Sequence, residues 1–125
     1  MRLPITLEWT KNRFETLVTK TKGKIRMAKV LFTVSYQVRP EMRETYLSHV
    51  RRLRDHLQQE EGRNYTVFRS KGKEHLFSEV LVANSMEEFD TLEDNQDELT
   101  QNLLRDIEGC MEKGTTRYTT MVELD

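Results

Sequence analysis

Between Ala28 and Leu124 the spacing of apolar residues switches repeatedly between a period of two and a period of three to four, and the order of those switches predicts the architecture. The first segment, Ala28–Gln37, alternates: Val30, Phe32, Val34 and Tyr36 share one face, and Leu31, Thr33, Ser35 and Gln37 the other. Pro40–Glu61 then carries Met42, Tyr46, Val50, Leu53 and Leu57 on one helical stripe, with Pro40 at the start, where a missing N–H costs nothing. His49 falls within that stripe and His56 at its margin. Asn64–Ser70 and His75–Ala83 read as two strands joined tightly through Lys71, Gly72 and Lys73. Ser85, with Glu88 three residues on, opens a helical region through a capping box. The polar run Glu93–Asp97 interrupts it, and Leu99, Leu103, Leu104, Ile107 and Met111 continue it as far as Lys113. Thr115–Leu124 alternates again and closes the chain as a strand.

The order β-α-β-β-α-β predicts an α+β, ferredoxin-like fold: a four-stranded antiparallel sheet with its helices on one face. Right-handed crossovers leave the first and third strands central, which predicts the strand order 4-1-3-2. The face turned from the helices is assigned Leu31, Thr33, Phe77, Leu81 and Met121, too apolar a set to meet water. The simplest cover is the same face of a second copy, so a homodimer is expected. This plan hosts many unrelated activities, so the pattern does not name a chemistry.

Composition narrows the classes. At 125 residues with 33% charged side chains, the chain fits one domain with one modest core. No apolar run approaches the roughly 20 residues that span a bilayer, and residues 1–26 lack the apolar core and cleavage site of a secretory signal. The single cysteine, Cys110, cannot form an internal disulfide, which makes the cytoplasm the expected compartment; beside an apolar stripe it reads as a small packing residue. No Cys/His pair has metal-ligand spacing and no glycine-rich phosphate loop occurs, so neither a metal nor a cofactor is expected. Charge is uneven: residues 1–26 carry seven Lys/Arg against two Glu, a net of +5, leaving −6 on the remainder of a chain whose net charge is −1. We divide the chain accordingly into a basic N-terminal extension (1–26), expected to be dispensable for folding, and one domain (27–125). An acidic domain argues against a nucleic-acid surface.

Three residues of the first helix are the candidate ligand contacts. His49 places a titratable imidazole among apolar positions, where it can exchange a proton or recognise a polar ligand edge. Tyr46, one turn earlier, can offer its hydroxyl to the same space, and Met42 can line it. The alternative is a satisfied histidine and a packed tyrosine. Glu79 and Arg69 are expected to pair across the hairpin or across the dimer, because an isolated buried charge is expensive.

From Val30 to Glu123 the chain resembles the dimeric α/β-barrel superfamily, in its antibiotic-biosynthesis-monooxygenase-like branch. The strand VLFTVSYQV, the helix start Arg39-Pro40-Glu41, the Glu60–Tyr65 turn and the segment SEVLVANSMEEFDTLED carry the resemblance. It implies a homodimer with two sheets face to face and a pocket in each subunit between sheet and helices. Members include cofactor-free monooxygenases, haem-degrading enzymes and isomerases. The haem-degrading pattern uses a first-strand Asn, a Trp in the domain and a histidine on the later helix. Here the first strand has no Asn, the only Trp is Trp9, and His49 and His75 lie elsewhere. Haem turnover is therefore not expected. The function expected is binding of a small apolar or aromatic molecule; a cofactor-independent monooxygenase-like enzyme and a non-catalytic dimerisation or regulatory module are the alternatives. A ligand cleft of about 300 Å³ or more separates the first two from the third.

Overall fold

The computed structural model describes residues 28–124. The basic extension assigned to residues 1–26 lies outside them. Strand β1 (Val30–Gln37) leads through a 3₁₀ turn (Pro40–Met42) into helix α1 (Arg43–Asp55), whose last turn is π-helical (His56–Glu60). Strands β2 (Asn64–Arg69) and β3 (Leu76–Ala83) form the hairpin, α2 (Met86–Asp94) and α3 (Glu98–Glu108) follow, and β4 (Arg117–Val122) ends the fold. The sheet is antiparallel in the order β2-β3-β1-β4, which is the predicted order read from the other edge.

Alternation places Val30, Phe32, Val34 and Tyr36 of β1 inward, as expected, and all four are buried. Register then fixes the other strands, because residues directly opposite share a face. Tyr36 pairs with Phe77, Val34 with Glu79 and Phe32 with Leu81, so those three β3 residues also point at the helices. This corrects the assignment of Phe77 and Leu81 to the open face. β3 is apolar on both sides, and its sequence alone carries no sign of which side is inward. The open face is instead built from Leu31, Thr33, Val80, Val82, Phe68 and Met121, with Phe68 and Met121 more than half exposed.

The helices close the inward face with Tyr46, Val50 and Leu53 from α1, Phe89 from α2, and Leu103, Leu104 and Ile107 from α3. The break read at Glu93–Asp97 narrows to Asn95–Asp97, because α2 runs on to Asp94, and it has a local cause. Asp97 caps α3, accepting the Thr100 N–H on Oδ1 at 2.8 Å. Ser85 caps α2 through the Glu88 N–H at 3.0 Å, while the Glu88 carboxylate takes the N–H of Asn84. α3 stops at Glu108, short of the expected Lys113, because the chain turns to bridge Met111 to Val38 and to give the Glu112 N–H to the Gln37 carbonyl at 2.8 Å. Cys110 is fully buried, its sulfur against the Asp106 carbonyl at 3.5 Å, and burial pushes its thiol pKa up.

Candidate functional site

A cavity of about 80 Å³ lies between sheet and helices. Phe32, Val34, Leu53, Leu81, Phe89 and Leu104 make its walls; Tyr65 and Glu79 bring polar atoms from the sheet, and Glu61, Arg63, Gln96 and Asp97 form a polar end. It falls well short of the 300 Å³ expected of an ordinary ligand cleft.

The sheet side is organised around one carboxylate. Glu79 is the single charged residue of β3, and register turns it inward, leaving it 4% exposed. Taking a carboxylate out of water is costly unless donors meet it. Tyr36 donates to Oε2 at 2.5 Å and Tyr65 to Oε1 at 2.8 Å. The Tyr46 hydroxyl lies 2.8 Å from that of Tyr36. Because Tyr36 spends its only proton on Glu79, Tyr46 is the donor between them. The result is a directed chain, Tyr46 to Tyr36 to Glu79, met from the other side by Tyr65.

The polar end is organised around His56. Its ring is 8% exposed, with Nδ1 2.6 Å from Glu60 Oε2 and Nε2 2.8 Å from Asp97 Oδ2. The Glu60 hydrogen bond raises the His56 pKa above its ordinary 6.5; burial opposes the rise and Asp97 reinforces it. Asp97 is held below the ordinary carboxylate value, first by its bonds to Thr100 and then by His56, against an opposing effect of burial.

The three residues singled out from the sequence are not brought together on this cavity. Met42 is half-buried at the start of α1, packed against the core. The Tyr46 hydroxyl meets that of Tyr36, which in turn donates to Glu79. His49 sits on the side of α1 that faces α3, with Nδ1 4.0 Å from Asp106 Oδ2. Glu79 has Val67 as its cross-strand neighbour, and Arg69 has Phe77, so the expected Glu79–Arg69 pair gives way to the tyrosine contacts. The residues that do gather, Glu79 with its tyrosines and His56 with Asp97, left faint signals: a lone charge in an apolar strand, and a histidine three residues after Leu53 on the buried stripe.

This α+β fold, a four-stranded antiparallel sheet with helices on one face, matches that of solved structures of antibiotic-biosynthesis-monooxygenase-like proteins. No family model matches the chain, and no curated protein matches it. Solved structures do. A conserved protein from Methanosarcina mazei superposes with a TM-score of 0.67 at 15% identity, over 78% of this chain and 95% of that one. A candidate antibiotic biosynthesis monooxygenase from Caulobacter crescentus gives 0.66 at 15%, over 79% and 92%. A variant of SnoaB, a cofactor-independent oxygenase from Streptomyces nogalater, gives 0.59 at 14%, over 74% and 90%. At such identities the likeness is one of fold.

Proposed function

We propose that the chain binds a single-ring, mainly apolar molecule bearing a hydrogen-bond donor, in the cavity between sheet and helices, and that it works as a cytoplasmic homodimer. The observation that carries this reading is a buried carboxylate, Glu79, set among the apolar walls of the cavity. The carboxylate is purely an acceptor, and the Tyr36 and Tyr65 hydroxyls hold it in place. A ligand O–H or N–H is the complement of such an acceptor, whereas an anionic ligand is repelled. Size restricts the occupant: about 80 Å³ is below the roughly 300 Å³ of an ordinary cleft and below the roughly 150 Å³ of an engineered cavity that holds benzene. One ring therefore enters only if the wall side chains move outward, and a fused polycycle is excluded.

Para-cresol and para-xylene test the idea, since they differ by a hydroxyl against a methyl. Methyl NMR spectra of the full chain should show para-cresol shifting Leu53, Leu81 and Leu104. It should bind about tenfold tighter than para-xylene, the scale of a hydrogen bond to a charged acceptor. Glu79→Gln should erase most of that preference. Absence of shifts at those leucines, or an undiminished preference in Glu79→Gln, would sink the proposal.

The fold shared with SnoaB supports a second reading, a cofactor-independent oxygenase in which Glu79 takes a proton from an electron-rich ring before oxygen attacks. Oxygen uptake on adding a dihydric phenol, lost in Glu79→Gln, would favour it over simple binding.

A further inference from the structure

A ring nitrogen of His56, a Glu61 carboxylate oxygen and an Asp97 carboxylate oxygen come within 4.8 Å of one another at the polar end of the cavity. We infer that His56, Glu61 and Asp97 form a binding site for a first-row divalent cation of the Zn²⁺ type, with Glu60 orienting the imidazole from behind.

The first argument is a count of donors. Both ring nitrogens of His56 face carboxylates, at 2.6 Å and 2.8 Å. A neutral imidazole carries one N–H, so one of those contacts needs a further positive centre, either a second proton or a metal ion. A cation on Nε2 satisfies the set: Nδ1–H donates to Glu60, and the Nε2 lone pair and Asp97 turn to the ion. Backing a ligating histidine with a carboxylate is the usual way its tautomer and orientation are fixed.

Charge gives the second argument. Glu60, Glu61 and Asp97 bring three negative charges, and Arg63, 3.8 Å from Glu61, returns one. With a neutral imidazole the excess is two, the charge of a divalent ion.

The backbone gives the third. On an α-helix a residue five positions on from His56 stands about 140° round the axis, out of reach. Here the helix switches to i→i+5 bonding, with the Glu61 N–H on the His56 carbonyl at 3.2 Å, which brings Glu61 back over His56. A π turn is an uncommon conformation that recurs at functional sites, and this one places the ligand.

Donors about 2.0–2.2 Å from a shared Zn²⁺ stand roughly 3–4 Å apart, so a modest rotation of the partly exposed Glu61 closes the set. One nitrogen and two oxygens suit Zn²⁺ better than Mg²⁺ or Ca²⁺, which favour all-oxygen shells. Glu61 and Asp97 both line the cavity, so the remaining coordination position opens into it. The site stands whether or not a ring molecule occupies the apolar part.

Calorimetric titration of chelator-treated full chain with Zn²⁺ alone tests this. One ion should bind per chain with micromolar or tighter affinity, and Mg²⁺ at the same concentration should give no heat. Glu61→Gln and Asp97→Asn should each weaken Zn²⁺ at least tenfold; Asn keeps the helix cap. Glu60→Gln should weaken it about tenfold as a positioning residue, and the ¹⁵N shift of His56 Nε2 should move on Zn²⁺ addition, reporting direct ligation. His49→Ala and His75→Ala should bind as the parent does. Should Asp97→Asn lose the fold, the partly exposed Glu61→Gln carries the test alone. No saturable binding below about 1 mM, or binding unchanged in Glu61→Gln, overturns the site.

Discussion

Tyr36 and Tyr46 are equally buried and touch each other edge to face, yet their hydroxyls hold different ranks. Tyr36 donates directly to a carboxylate, and Tyr46 donates to Tyr36. A hydrogen bond to a charged group contributes about 1.5–3 kcal/mol, and a neutral one about 1 kcal/mol. Tyr36→Phe should therefore cost about 2 kcal/mol in urea denaturation and Tyr46→Phe about 1 kcal/mol; equal or reversed costs would contradict the direction of the chain. From the sequence, Tyr46 was legible as an inward residue of the first helix because its stripe repeats at helical spacing. What its hydroxyl meets was not, since Tyr36 and Glu79 lie on separate strands and only the register aligns them. His49 shows the reverse problem. Its position on the stripe was legible, but helical spacing does not say that α3, bringing Asp106, covers that side of the helix while the cavity opens on another.

At the scale of elements, the end of α1 and the start of α3 act as one unit, because the π turn delivers His56 to the residue that caps α3. The unit is pH-sensitive with a definite sign. The folded His56 pKa lies above 6.5, so its contribution is complete below 6.5 and is lost as pH rises through the folded value. The Asp97 pKa is depressed, so its contribution is complete above 3.8 and is lost as pH falls through its folded value. In metal-free protein the two overlap between 3.8 and 6.5, where this unit is most stabilising. Thermal melts should fall as pH rises above 6.5, and His56→Gln should flatten that slope; a parallel fall in both proteins would assign the loss elsewhere. The elements themselves were largely legible: each strand and helix shows its period, and Asp97 sits in a run already read as a break. The π turn was not, because nothing in the composition of His56–Glu60 separates it from one more α-helical turn.

The whole molecule is decided by the sheet face the helices leave open. Register puts Val80 at its middle, opposite Thr33 on β1 and Thr66 on β2, with Leu31, Val82, Phe68 and Met121 around it. Phe68 at 55% and Met121 at 52% exposed are large apolar side chains that a lone subunit gives to water. A sheet has one such face, and a two-fold axis through its centre brings the same residues onto themselves, which is the geometry of an isologous dimer. An interface of ordinary size removes about 1,200–2,000 Å² in total, within reach of two four-stranded sheets packed about 10 Å apart. Val80→Glu separates this account from a monomer that tolerates its apolar face. In one subunit the new carboxylate points to solvent and costs little. In the dimer two such charges meet at the buried centre of the contact, without partners. Light scattering at micromolar concentration should report a dimer for the parent chain and a monomer for Val80→Glu, with circular dichroism alike in both. A monomeric parent chain would leave the open face without its proposed cover, and a dimeric Val80→Glu would move the interface to another surface.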